Sequence, residues 1–283
     1  MSVRSRLQVM GIALCSDIPS PVRCGTFKPK SPSAAPPALT AQGNPLVSCL
    51  MVTRGNIDLM RYSLACYRRQ SYAHRELVVV TGPDSGEKVR TFLASENDLN
   101  VTVFKAPPGL TLGDHRNLAA ARARGLILVT WDDDDLSDPT RLEIAVGVLR
   151  QTGAAAMFIN RLLLWWPRRK IAAISPHRLW EQSIAAWRNH MPIYAAQSRG
   201  EDTAIITPFS RTHLVATVDC PFLYVYAITD QNTWGAAHFE ALISRSECVF
   251  EGDQFDELNE LLSDRLPLLK YSELLKQANE VLA

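Results

Sequence analysis

A chain of 283 residues, 47% of them hydrophobic, is long enough for one large domain or two small ones around a real core. A formal net charge of +1 supplies no broad basic field for a nucleic-acid backbone and no acidic tail. DNA and RNA are therefore set aside as main partners, while a nucleotide as a small ligand is not. The cysteines Cys15, Cys24, Cys49, Cys66, Cys220 and Cys248 form no CxxC pair. That spacing argues against a disulfide framework or a zinc site and for reduced thiols in a cytoplasmic protein.

No apolar run reaches the roughly 20 residues needed to span a bilayer, so no transmembrane segment is expected. Arg4 and Arg6 precede a short apolar stretch, Leu7 to Cys15, but no clear small-residue cleavage site follows it. Pro29, Pro32, Pro36 and Pro37 fall within a Ser-, Ala- and Lys-rich stretch that cannot bury enough apolar surface to offset its ordering entropy. Residues 1–45 are accordingly read as a flexible leader, with the globular domain over 46–250.

The apolar run Leu46 to Thr53 predicts a buried strand, broken by Arg54-Gly55-Asn56. Ile57 to Gln70 has helical spacing, with Leu59, Tyr62, Cys66 and Tyr67 on one side. Glu76 to Val80 predicts a second strand, Thr81 to Gly86 a turn, Glu87 to Ser95 a helix and Val101 to Phe104 a third strand. The alanines of Thr111 to Gly125 favour a helix, ended by Gly125. Leu126 to Trp131 predicts a fourth strand, which runs directly into Asp132-Asp133-Asp134-Asp135. Pro139 to Gln151 and Leu179 to Trp187 are read as helices, and the leucine-rich end, 251–283, as a helical tail. Alternating strand and helix imply an α/β fold, a mostly parallel or mixed sheet with helices on both faces. In such sheets ligands bind at the carboxyl ends of the strands, which is where the acid cluster falls.

Gathering four aspartates is costly unless a cation compensates, because like charges repel and raise one another's pKa. Hard divalent ions such as Mg²⁺ or Mn²⁺ take oxygen ligands and bridge carboxylates to substrate phosphates. On an extended segment Asp132 and Asp134 share a face and become the metal-ligand candidates, with Asp135 turned toward ribose or nearby backbone.

In this ordered set the chain resembles the family 2 glycosyltransferases of the GT-A type. The carrying elements are Val47 to Arg54, Leu112-Gly113-Asp114-His115-Arg116-Asn117, Asp132 to Asp135 with Pro139, and Arg199-Gly200-Glu201-Asp202-Thr203. The resemblance implies a Rossmann-like mixed sheet and transfer of a sugar from a nucleotide-diphosphate donor, in the first place a UDP-sugar, to a hydroxyl acceptor with inversion. It places Thr53 and Arg54 near the donor base and ribose and Arg116 at the diphosphate. Asp132 and Asp133 would lie on the donor, Asp132 and Asp134 on the metal. Asp202, supported by Glu201, becomes the base that takes the acceptor proton. The family's acidic turn after the second strand reads Thr81 to Gly86 here, with Asp84 as its carboxylate. Its His-Gly before Asn232-Thr233-Trp234 is missing, which leaves His238 as a metal or core histidine.

The chemistry asks for the same parts. A departing nucleoside diphosphate develops negative charge that a cation and an arginine stabilise, and a sugar hydroxyl gains from a positioned carboxylate base. As a second role, Asp202 could cap a helix beginning at Thr203. Among the tryptophans, Trp165, Trp166 and Trp187 are expected in the core, and Trp180 with Glu181 is the acceptor-binding patch. Arg168-Arg169-Lys170 is a solvated charge run or a contact for an anionic or membrane surface. The expected acceptor is a glycan or a lipid-linked or polysaccharide chain, the expected place the cytoplasm, with peripheral membrane contact. Two rival readings are a nucleotidyltransferase and an inactive relative that binds a sugar nucleotide or a protein. The first would need a glycine-rich basic loop after the first strand, for which Thr53-Arg54-Gly55-Asn56 is too thin.

Overall fold

The structure, a computed structural model, describes residues 1–12, 14, 24–27, 43–96 and 99–280. Inside the expected leader, Val3–Val9 forms helix α1 and Cys24–Phe27 strand β1. Ser2 caps α1, Val3 and Leu7 are buried, and the Val3 N–H donates to Glu257 Oε1 at 2.9 Å. Residues 13, 15–23 and 28–42 of that leader lie outside the described residues.

Strand and helix then alternate as β2 (Val47–Thr53), α2 (Ile57–Arg68), β3 (Arg75–Thr81), α3 (Gly86–Ser95), β4 (Val101–Lys105), α4 (Leu112–Arg122) and β5 (Ile127–Thr130). Asn56 caps α2, and a reciprocal Thr111–Asp114 capping box opens α4. Alternate residues of the strands serve two cores. Met51, Leu77 and Val79 pack with α2 and the rest of the main core, whereas Leu50, Val78, Val80 and Leu128 pack under Ala119 and Ala123 of α4. Burial on both faces is why these strands read as continuous apolar runs.

The remaining elements are β6 (Leu136–Ser137), α5 (Arg141–Thr152), β7 (Ala156–Ile159), β8 (Leu163–Trp166), β9 (Ile171–Ile174), β10 (Ala185–Trp187), α6 (Thr203–Thr212), β11 (Val215–Val218), β12 (Tyr224–Ala227), α7 (Ala236–Ile243), β13 (Cys248–Glu251), α8 (Asp253–Leu262) and α9 (Leu268–Glu280). They complete an eight-stranded sheet ordered β1-β11-β7-β10-β5-β2-β3-β4 and a second, five-stranded sheet ordered β13-β9-β8-β12-β6. The larger sheet is mixed: β2, β3, β4 and β5 run parallel, and β10 pairs antiparallel with both β5 and β7. The helix expected over Leu179 to Trp187 is instead a short turn of helix at Glu181–Ser183 followed by β10. Ala185, Ala186 and Trp187 are buried on both faces in the middle of the sheet. A segment without a polar face has no periodicity to separate strand from helix.

Trp165, Trp166 and Trp187 are core residues, as their aromatic bulk predicted. Cys49, Cys66 and Cys248 are buried and unbridged. Among the described residues no helix is long and apolar enough to cross a membrane. The basic run is neutralised by pairing: Arg168 with Asp230, Arg169 with Glu240 at 2.6 Å and Lys170 with Asp256 at 3.0 Å.

Candidate active site

The acid cluster leaves the sheet at the carboxyl end of β5. The Trp131 N–H still donates to Leu50 O at 2.9 Å, and the chain re-enters a sheet only at β6, which pairs with β12. Between these anchors it bends rather than staying extended, and the carboxylates reach different groups, with Asp132 and Asp135 sharing the Tyr224 hydroxyl. Asp132 accepts from Arg116 Nη1 at 3.1 Å and from the Tyr224 hydroxyl at 3.0 Å. Asp133 accepts from the Thr53 hydroxyl at 2.5 Å, and Asp134 from Asn232 Nδ2 at 3.2 Å. Asp135 accepts from the Tyr224 hydroxyl and, at 2.8 Å, from the Ala227 N–H. Asp135 thus turns to backbone, one of its two expected directions.

Two glycines permit this arrangement. Gly55, at φ +85°, lets its N–H reach Thr53 Oγ1 at 2.9 Å, and a side chain there would also meet Ser85 Cβ at 2.7 Å. At Gly113 a Cβ would lie 1.8 Å from Ala195 O, so only glycine lets the start of α4 touch that loop. The Gly113 N–H donates to Gln197 O at 3.1 Å, and the Asn117 side chain pairs with the Tyr194 backbone through two 2.9 Å bonds. The loop ending in Glu201–Asp202 is thereby stitched to α4.

Arg116 is the join between the two acidic elements. Its Nε donates to Glu201 Oε1 at 2.9 Å while Nη1 holds Asp132. Asp202 caps α6, accepting from the Thr203 N–H at 2.8 Å through Oδ1.

A cavity of ≈ 240 Å³ opens over this assembly. Thr53, Arg54, Arg116, the four aspartates, Trp180, Glu181, Glu201 and Asp202 all line it. Asp84 does not: it is exposed on the turn after β3, outside the lining. Trp180 is almost wholly buried, and Arg178 covers its ring at 4.2 Å while pairing with Glu181. His238 also lines the cavity but stacks on Trp234 at 4.7 Å, and burial first, then Arg178 and Arg245, hold its pKa below the usual value. Four further residues were given no site role from the sequence: Arg141, Tyr224, Tyr226 and Asn232, the last named only within Asn232-Thr233-Trp234. Arg141 is buried beneath the cluster and donates to Ser137 Oγ and Thr130 O, both at 2.9 Å. The only available signal was an arginine three residues after Asp138 at a helix start, and arginines there are common.

Electrostatically the site is short of positive charge. Burial, then Asp132, pushes Asp133 up to about 6. Burial, then its acidic neighbours, raises Asp134 and Asp135 well above the carboxylate range. Burial works against the Arg116 charge, but Asp132, Tyr194, Asp202 and Glu201 overcome it and hold the guanidinium above its usual value. Burial raises Glu201, with Arg116 pulling the other way. Among the described residues no three His, Cys, Asp or Glu side chains converge as a complete ligand set. Asp132 and Asp134 both line the cavity, and their oxygens are of the kind a hard divalent ion takes together with water and phosphate oxygens.

The family model described as glycosyl transferase family 2 matches residues 48–201, more than half of the chain. No curated protein sequence matches. Among solved structures, S. aureus TarS 1–349 in complex with UDP superposes at TM-score 0.54 with 14% identity, over 77% of this chain and 72% of that one. The same protein in complex with UDP-GlcNAc gives 0.52 and 15%, over 66% and 59%. The mannosyltransferase PcManGT from Pyrobaculum calidifontis, in complex with GDP-Man and Mn²⁺, gives 0.51 and 18%, over 70% and 60%. At these identities the likeness is one of fold, the GT-A type.

Proposed function

The chain belongs to glycosyl transferase family 2 and is a glycosyltransferase, and on that premise we propose a metal-dependent, inverting transfer from a nucleotide-diphosphate sugar to a sugar hydroxyl. One observation carries the reading: Arg116 links Asp132 to Glu201, so the acid cluster and the Glu201–Asp202 element face one cavity. Asp132 and Asp134 would hold Mn²⁺ or Mg²⁺, and the ion, when bound, would neutralise charge on the departing diphosphate. Thr53 and Arg54 line the end of the cavity where β2 stops, and take the nucleoside. Because the cap on Thr203 uses only Oδ1, Asp202 Oδ2 can accept the acceptor proton. Glu201, fixed on Arg116, holds Asp202 beside the cluster. Trp180 and Glu181, which also line the cavity, are assigned to the acceptor. A glycan or lipid-linked acceptor and a cytoplasmic setting with peripheral membrane contact complete the proposal; the unbridged buried thiols support the cytoplasmic setting alone.

Arg116 differs here from a free diphosphate clamp, since its Nε and Nη1 are engaged by carboxylates. Donor phosphates would compete with Asp132 for Nη1 as the cation takes over that carboxylate.

Purified protein incubated with Mn²⁺ and a panel of UDP- and GDP-sugars tests the proposal. Release of nucleoside diphosphate, abolished by EDTA and restored by Mn²⁺, is expected. A parallel reaction with UTP or GTP and a sugar 1-phosphate covers the rival: pyrophosphate release there, with no nucleoside diphosphate from the sugar nucleotides, would point to nucleotidyl transfer, and the absence of both would defeat the enzymatic reading of this site.

A further inference from the structure

The family match ends at residue 201, yet the acid cluster is also gripped from the far end of the chain. Tyr271, on α9, is fully buried and donates its hydroxyl to Asp134 O at 2.7 Å. Its ring is wedged between Trp165, at 5.6 Å and nearly parallel, and Tyr62, at 4.8 Å. A few residues earlier, Arg265 binds Asp138 through two bonds, Nε to Oδ2 at 2.6 Å and Nη2 to Oδ1 at 2.7 Å. The segment is itself tied to α2: the Tyr62 hydroxyl donates to Lys270 O at 3.0 Å, and Arg69 donates to Asp264 O. Residues 264–271 therefore span the acidic bend, contacting it at Asp134 and again at Asp138.

We propose that this C-terminal segment is a splint for the acid cluster, and that Tyr271 is the positioning residue that fixes the Asp134 backbone for cation and donor binding. The physical reason lies in the bend itself. Residues 132–135 form no ladder, so regular hydrogen bonding does not fix their dihedrals. The Asp134 carboxylate has a single long bond, to Asn232, on a loop. The 2.7 Å bond to its carbonyl, from a phenol locked by two aromatic neighbours, is the contact that sets where the side chain emanates. Positioning within about half an ångström is what such constellations need, and rigid packing supplies it.

The inference rests on the donor and cation reading above, and its test separates the two. Full-length wild type, Tyr271→Phe and Tyr62→Phe are titrated with UDP and with GDP in the presence of Mn²⁺, by calorimetry, with melting curves alongside. Tyr271→Phe keeps the stacked ring and removes one hydroxyl, so roughly 3- to 10-fold weaker nucleotide binding and a matching rise in the Mn²⁺ requirement are expected. Tyr62→Phe keeps the ring packed on Tyr271 and removes a bond to Lys270 O that does not touch the cluster, so it is expected to weaken binding by less than Tyr271→Phe does. Wild type that binds neither nucleotide with Mn²⁺ overturns the cation–donor reading and this inference with it. Wild type that binds, with Tyr271→Phe binding equally well, overturns the inference alone. Equal weakening in both variants also overturns it, because the effect then belongs to helix docking in general.

Discussion

Replacing Arg116 with methionine is the perturbation whose cost the structure fixes best. The guanidinium is 12% exposed and pairs at once with Asp132 at 3.1 Å and Glu201 at 2.9 Å, the latter carboxylate only 3% exposed. Methionine keeps much of the stem's volume but leaves both acids unpaired. Removing one partner of a buried ion pair costs about 3–5 kcal/mol. Here the lower end applies, because Asp132 keeps its bond from Tyr224 and Glu201, already raised by burial, can take up a proton. At ~2–4 °C per kcal/mol for a body of this size, Arg116→Met is expected to melt ~6–12 °C lower at pH 7. The deficit should shrink as pH falls, because the orphaned Glu201, already raised by burial and without Arg116 to pull it down, protonates and no longer carries an unpaired charge. Scanning calorimetry of wild type, Arg116→Met, Glu201→Gln and the double variant closes the cycle, with a coupling of at least ~1 kcal/mol expected between the two positions. A melting point within ~2 °C of wild type and no coupling would show that the bridge is not a buried ion pair in solution.

Asp134→Ala should abolish Mn²⁺-dependent nucleotide binding while keeping the melting transition, both read from one calorimetric series. Asp202→Asn should bind donor normally and lose transfer by ~10²-fold or more, measured as nucleoside diphosphate release with acceptor present; near wild-type turnover would remove Asp202 from the role of base. Gly113→Ala places a methyl 1.8 Å from Ala195 O, so the loop must move; a lower melting point and a raised donor KM are expected from steady-state kinetics. Glu76 gives a pH prediction. Burial alone would raise its pKa, but Ser48 Oγ at 2.6 Å and the Arg124 N–H and Nε at 2.6 and 2.7 Å pull it below the usual 4.5. A depressed folded value means stability that is present above the unfolded pKa and is lost as pH falls through the folded one. Wild type should therefore lose melting temperature steeply below pH ~4.5, and Glu76→Gln should start lower and lose less over the same window.

How much of this was legible in the sequence depended on how local each signal was. The β2-to-β5 alternation was readable because each strand is a short apolar run between turn residues, and the acid cluster stood out because four carboxylates ended such a run. The placement of Thr53, Arg116 and Glu201 around one cavity followed from the ordered motifs. What failed was non-local. The segment 179–187 gave no usable period because β10 is buried on both faces. Asp84 occupies the expected turn, but that turn points outside the cavity. Tyr224, Asn232 and Tyr271 reach the cluster from positions 89–137 residues further along the chain, and no spacing rule connects a lone tyrosine to a carboxylate at such a distance.

The distribution of charge explains why the later part of the chain had to supply those groups. Asp132, Asp133, Asp134, Asp135 and Glu201 face three guanidiniums, Arg116 between the acidic elements, Arg141 beneath them and Arg54 on the cavity wall, where it acts on Asp133. Burial works to lower the charge on Arg141, and Tyr224, Asp132 and Asp135 work to retain it. Three cations cannot balance five acids, so neutral donors must satisfy the rest: Tyr224 and the Ala227 N–H on Asp135, Thr53 on Asp133, Asn232 on Asp134. Neutral donors orient a carboxylate without cancelling its charge. The second sheet and its flanking loop therefore hold the acids in place, with Arg116 on Asp132 and only a neutral amide on Asp134. A purely structural network would gain by giving Asp134 a cationic partner. On the proposed function, a divalent cation arriving with a diphosphate would use that deficit.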